Sequence, residues 1–272
     1  MKSILLHVHD DSGFDHRLQI ALDIARTFGA HLHCLQVSPI QGYGSFAAVD
    51  GIYAAGIVLE ELHAIDSAVR ERIEAKLQGE DVAWSWRSID GDVVQELIRC
   101  AALADLVILG QGRPAGPAEE GLTPLAIVED VSVAVHCGVL AVPVGCRRLD
   151  LSAPIVVGWN GSIQAAHALR QAVPILRRSS AVHIVSVGDD TTDFPQLSAS
   201  TYCARHGVKT ELHVLPGKVN RADDVLARFA AQIGAGAIVM GAFGRSRLRE
   251  AVLGGTTRAL LDTSAIPLLL GH

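Results

Sequence analysis

The chain has 272 residues, a formal charge of −6 and a hydrophobic fraction of 49%. That length suits one large or two small domains, and so apolar a chain with few charges is not a disordered one. The acidic balance argues against nucleic acid as the main partner, and no apolar run reaches the ~18 residues that a membrane span needs.

The first six residues turn polar at His7, too soon for the apolar region of a signal peptide, so the expected location is cytoplasmic. Five cysteines (34, 100, 137, 146 and 203) are odd in number and in no metal spacing. They read as buried free thiols. The apolar residues are mostly Ala, Val, Leu and Ile, the bias of a parallel sheet covered by helices.

Residues 4–8 predict a first strand, followed by a polar turn from His9 to Gly13. Leu18, Ala21, Leu22 and Ala25 then share one helical face, and residues 30–37 predict a second strand. Residues 38–56, rich in Gly, Ala and Ser with Tyr43, Phe46 and Tyr53, read as a long loop or lid. A helix is expected at 92–101 and a strand at 106–110. Residues 111–117 follow with Pro114 and Pro117, which remove N–H donors that an anion nest would need. A short aliphatic strand near Pro143 closes the half, and residues 147–153 read as a linker.

The pattern then repeats. Residues 155–159 match 4–8, Asn160, Gly161 and Ser162 form the turn, and Ala165, Leu169, Ala172 and Leu176 mark the helix. Strands follow at 181–187 and 237–241, with a helix at 222–231 between them and a closing strand near Pro267. Strands alternating with helices predict βαβ units. The expected fold is α/β, with two tandem doubly wound domains (1–147 and 153–272). Each has a mostly parallel five-stranded sheet flanked by helices, with ligands at the carboxyl ends of the strands.

The histidines offer a weak metal candidate. His7 and His9 share one strand face, as do His31 and His33. In parallel neighbouring strands the two pairs fall at opposite ends, so they should not form one site. His9 with Asp10 and Asp11 remains a weak candidate, and ordinary strand and rim histidines are the preferred reading.

The most informative stretch is 241–257. Gly241 and Gly244 are followed, after nine residues, by Gly254, Gly255, Thr256 and Thr257. A buried strand, a glycine loop and a helix start in that order suit phosphate. Glycine lets backbone N–H groups approach an anion, and a helix N-terminus adds unpaired donors.

The spacing Gly241-x2-Gly244-x9-Gly254 resembles the nucleotide loop of the universal stress proteins, and the likeness extends over the whole chain as a tandem pair, loosely in the first half. The resemblance implies domains paired through their last strands, within the chain, and leaves a homodimer open. It implies an adenine nucleotide (ATP, or AMP or ADP) in the C-terminal domain. Trp159 and Asn160 would lie after the first strand, Val187 at the adenine edge, and Met240 and Gly241 at the base and ribose. Gly244, Gly254, Gly255, Thr256 and Thr257 would cradle the phosphates beside Arg245, Arg247 and Arg249. Magnesium would enter with the phosphate, through Thr256. Asn160 stands where the family has an acidic residue, so no catalytic residue is assigned and hydrolysis is expected to be slow or absent. The expected role is a nucleotide-dependent regulator of stress survival. A ligand-free interaction scaffold and a weak ATPase are the alternatives, and the first half's site reads as degenerate.

Overall fold

The computed structural model describes residues 1–39, 52–111, 124–188, 194–218, 221–242 and 255–272. The N-terminal half holds strands β1 (Ser3–Val8), β2 (His31–Ser38), β3 (Trp84–Asp90), β4 (Leu106–Gly110) and β5 (Gly138–Val142). Its helices are α1 (Phe14–Phe28), α2 (Ile52–Leu77), α3 (Val93–Cys100) and α4 (Pro124–Ala134). The C-terminal half holds β6 (Ile155–Gly158), β7 (Val182–Val187), β8 (Thr210–Leu215), β9 (Ala237–Gly241) and β10 (Leu268–Gly271). Its helices are α5 (Ile163–Leu176), α6 (Gln196–Arg205), α7 (Ala222–Ile233) and α8 (Gly255–Thr263).

All ten strands lie in one sheet, ordered β3-β2-β1-β4-β5-β10-β9-β6-β7-β8. The strand order of one half therefore repeats in the other. Every neighbouring pair is parallel except β5 with β10, which run antiparallel with Leu268 opposite Ala141 and Leu270 opposite Val139. Central strands such as β4 are aliphatic throughout because both faces are covered.

Ile4, Leu6 and Val8 of β1 point into one apolar cluster, and Leu5 points into another. The first cluster lies under α1, α2, α5 and α6, and the second under α3, α4, α7 and α8. Each contains residues from both halves, so the core runs through the β5–β10 seam. Local chemistry sets the helix ends. The Asp92 side chain accepts the Gln95 N–H at 2.8 Å to cap α3. Gly29, at φ +55°, ends α1 in the left-handed conformation that a side chain resists.

The expected long loop is corrected in part. Residues 52–56 are the first turns of α2, a 26-residue helix held on the sheet by buried Val69, Ile73 and Leu77 at helical spacing. Residues 40–51, with Tyr43 and Phe46, lie outside the described residues. The segment read as a linker is packed: Leu149 is buried, the Ser180 N–H donates to the Ser152 carbonyl, and the Gly236 N–H donates to the Pro154 carbonyl.

Cys34, Cys146 and Cys203 are buried, Cys100 and Cys137 half-buried, and all five are free. Burial pushes the Cys34 thiol up to about 12 and those of Cys137 and Cys203 to about 11, which keeps them protonated and unreactive at neutral pH. No helix among the described residues is long and apolar enough to cross a membrane.

His7 in β1 sets a pH dependence. Burial, then the neighbouring charges of His9 and Arg17, lower its pKa from 6.5 to about 3. The ring is neutral in the fold, whereas the unfolded chain takes up a proton below pH 6.5. Its contribution is therefore complete above pH 6.5 and is lost as pH falls toward 3, at about 1.4 kcal/mol per pH unit. Urea unfolding at pH 7 and pH 5 should differ by about 2 kcal/mol from this ring. His7→Gln should remove that share of the difference, and an unchanged difference would rule the ring out as its source.

Candidate functional site

The carboxyl ends of β6, β7 and β9 and the N-terminus of α8 converge on one edge of the C-terminal half. β6 neighbours both β7 and β9, so residues from three strands meet there. Asn160 follows β6 and is exposed; its side-chain oxygen accepts the Ser162 N–H at 3.2 Å. Gly161 takes φ +65° to make this turn. Ser162 then caps α5 by accepting the Ala165 N–H at 3.1 Å.

Trp159 is buried among core side chains, and its indole N–H donates to the Phe194 carbonyl at 2.8 Å. Its ring is thus committed to the protein interior. Val187 ends β7 half-buried, opposite Leu215. Met240 is buried in the second core cluster.

Gly241 has a packing reason of its own. A Cβ there would lie 2.6 Å from the Ala165 nitrogen and 2.7 Å from the Gln164 carbonyl carbon. The glycine lets the first turn of α5 settle onto the end of β9. Its register partner Gly271 on β10 does the same, with a Cβ 2.5 Å from the Ala168 Cα. The side chain missing at 241 therefore makes room for a helix.

At the start of α8 the geometry opens. Gly255 is exposed, with no atom of the described residues within 4 Å of a Cβ, and Thr256 is half-buried. Thr257 is buried, and its hydroxyl donates to the Gly241 carbonyl at 3.4 Å. This bond ties the helix start to the end of β9. Gly244, Arg245 and Gly254, with Arg247 and Arg249, lie outside the described residues.

One neighbouring feature was not anticipated from the sequence. A groove of about 500 Å³ is lined by Pro216, Gly217, Lys218, Arg221, Asp224 and Arg228, among others. It adjoins Val187, whose Cγ1 would lie 2.9 Å from a Cβ at Gly217. Arg221 pairs with Asp224, and the Arg228 Nε donates to the Asp224 carbonyl at 3.1 Å. Three cations against one carboxylate make the rim positive, which suits an anionic guest. The signal available in the sequence was Pro216-Gly217-Lys218 at the end of β8, with Arg221 and Arg228 two helical turns apart.

The matching edge of the N-terminal half is filled. Arg17 of α1 is only 2% exposed and pairs with Asp11, Nη2 to Oδ2, at 2.9 Å. Nη2 also donates to the His9 carbonyl at 3.1 Å. Its Nη1 lies 2.3 Å from where a Cβ of Gly110 would be, so the guanidinium occupies the space over the end of β4. Gly110 corresponds to Gly241 in the repeated strand order. The two histidine pairs stay apart: His31 and His33 share the Ser85 hydroxyl at 3.0 and 2.9 Å, while His7 and His9 stack 6.0 Å apart.

Comparison with known proteins agrees with this architecture. A model of the universal stress protein family matches residues 153–271. The universal stress protein Slr1230 of Synechocystis sp. is 29% identical over 129 residues, 45% of this chain and 44% of that protein. The chain thus spans less than half the length of that curated relative. The crystal structure of a universal stress protein from Archaeoglobus fulgidus superposes with a TM-score of 0.73 at 17% identity, over 99% of this chain and 95% of that one. A functionally unknown protein, PA1789 of Pseudomonas aeruginosa, gives a TM-score of 0.65 at 20% identity, over 100% and 92%. Strand order, the succession of β9 and α8 at Ala237–Gly241 and Gly255–Thr263, and the family match coincide in the same segment. The C-terminal half of this chain, residues 153–271, is thus similar in sequence to the universal stress protein family, and it follows a half that repeats its strand order.

Proposed function

We propose that the C-terminal half binds one adenine nucleotide, ATP or its ADP and AMP products, and that the occupied state serves as a regulatory signal. The observation that carries this reading is the edge where Asn160, Val187, Gly241 and the start of α8 meet, with Thr257 bonded to the Gly241 carbonyl. This edge brackets the segment whose glycine spacing resembles the family's nucleotide loop. The exposed start of α8 offers N–H donors to phosphate. The positive groove beside Val187 supplies further charge.

Little in the arrangement favours hydrolysis. Asn160 is neutral, and its oxygen is already engaged by Ser162, so magnesium would enter on the phosphates alone. Phosphoryl transfer needs a positioned nucleophile and usually a carboxylate-held metal. The N-terminal half is assigned no nucleotide, because Arg17 fills the corresponding space.

The test uses the full chain, with extraction and weighing of co-purified small molecules followed by thermal unfolding in ATP. One nucleotide per chain is expected. ATP at about a hundred times its Kd should stabilise the fold by about 2.7 kcal/mol. Gly244→Gln should abolish both signals. Equal binding by Gly244→Gln would displace the phosphate loop. No nucleotide and no shift would favour the scaffold reading, which the neutral Asn160 also supports. Phosphate release abolished by Thr256→Ala would point to the ATPase.

A further inference from the structure

On the outer strands of the C-terminal half, away from the nucleotide edge, two imidazoles and a carboxylate converge. His183 lies on β7, and Glu211 and His213 lie on the edge strand β8, with Glu211 opposite His183 in register. Residues two apart on a strand share a face, so Glu211 and His213 point the same way. His183 Nδ1 is 3.0 Å from His213 Nε2. The Glu211 Oε2 is 3.5 Å from the first nitrogen and 3.8 Å from the second. Among the described residues, no other group of three such side chains brings its ligand atoms together.

We propose that His183, Glu211 and His213 bind a Zn²⁺ ion that staples the edge strand β8 to β7. Zinc takes imidazole nitrogen at about 2.0–2.1 Å and carboxylate oxygen at about 2.0–2.2 Å in a tetrahedron. Donors on such a shell are about 3.4 Å apart, and the three observed separations bracket that value. A hydrogen-bonded cluster fits less well. The imidazole pair is at bonding distance, but the carboxylate approaches both nitrogens beyond ordinary hydrogen-bond range and bonds neither. Three ligand atoms within 4.8 Å of one another are what a cation requires. The nitrogen-rich donor set selects zinc over magnesium or calcium, which take oxygen.

The surroundings suit the ion. His183 is buried, with its Nδ1 beside the other two side chains. The Phe229 ring of α7 stands 5.8 Å from the His183 ring and 4.8 Å from the His213 ring, an apolar wall on one side. Glu211 is exposed, which leaves the fourth position to water. His183 lies four residues before Val187 on β7, about 13 Å along the strand, so the ion and the nucleotide occupy separate places.

The test is calorimetric titration of the metal-stripped full chain with ZnCl₂, paired with amide exchange. Wild type should bind one equivalent that excess Mg²⁺ does not displace, and residues 210–215 should exchange more slowly with zinc. Glu211→Gln changes an exposed side chain and should leave the fold intact. It should weaken that equivalent by about tenfold or more and abolish the exchange response, and His213→Gln should do the same. Zinc held by other histidines would persist in every variant and would not move β8. Wild-type affinity and stoichiometry in both variants, or exchange at 210–215 indifferent to zinc, would overturn the site.

Discussion

Gly241→Ala is expected to destabilise the chain by about 3 kcal/mol, at the upper end of the usual cost of overpacking. The added methyl would meet the Ala165 nitrogen at 2.6 Å and the Gln164 carbonyl carbon at 2.7 Å. Both are backbone atoms in the first turn of α5, which Ser162 holds in place by its cap. No rotamer change can relieve such a contact, so the helix must move off β9. Gly255→Ala is the internal control. No atom of the described residues lies within 4 Å of a Cβ there, and the position is helical. Alanine should be neutral or stabilising by up to about 1 kcal/mol. Urea midpoints of the two variants, measured without nucleotide, separate packing from binding. Equal stability of Gly241→Ala and wild type would refute the packing account.

Arg17→Ala should cost still more, about 3–5 kcal/mol, the usual penalty for removing one partner of a buried ion pair. Asp11 is 10% exposed and would keep its charge without the guanidinium that neutralises it. The Gly13 N–H, 2.7 Å from the Asp11 side chain, gives only partial compensation. Replacing both partners by Arg17→Met with Asp11→Asn should restore much of the loss, because no charge is then left stranded. Chemical denaturation of the single and double variants makes the comparison. A single-variant loss below about 1 kcal/mol would place the pair in the surface class. Arg17→Ala also vacates the space over Gly110, so nucleotide titration of that variant reports whether Arg17 is what closes that edge.

Eight of the ten strands were legible as aliphatic runs, and the repeat of residues 4–8 at 155–159 disclosed the duplication; β3 and β8, at the two sheet edges, were not located because half or more of their residues are polar. The helix α2 was not read from the sequence, and its first residues were taken as part of a loop. Gly51 and Gly56 with several alanines suggested a loop, but the anchors Val69, Ile73 and Leu77 lie too far along to mark where the helix starts. The role of Gly241 was hidden for a different reason. A glycine shows that something comes close, not what. Its register partner Gly271 is thirty residues away, and only the sheet reveals that both receive α5. Arg17 was not singled out in the sequence, because its burial depends on pairing with Asp11 across the turn. His183 and His213 are thirty residues apart, and strand register alone makes them neighbours.

The antiparallel pairing of β5 with β10 has a geometric consequence. Strands of the first half run one way and those of the second run the other. The closed edge beside Arg17 and the open edge beside Thr257 therefore face opposite ends of the molecule. A single guest cannot bridge them, and a change at one end can reach the other only by shifting the shared aliphatic interior between Val139 and Leu270. Communication in this chain would be mechanical, carried by the seam.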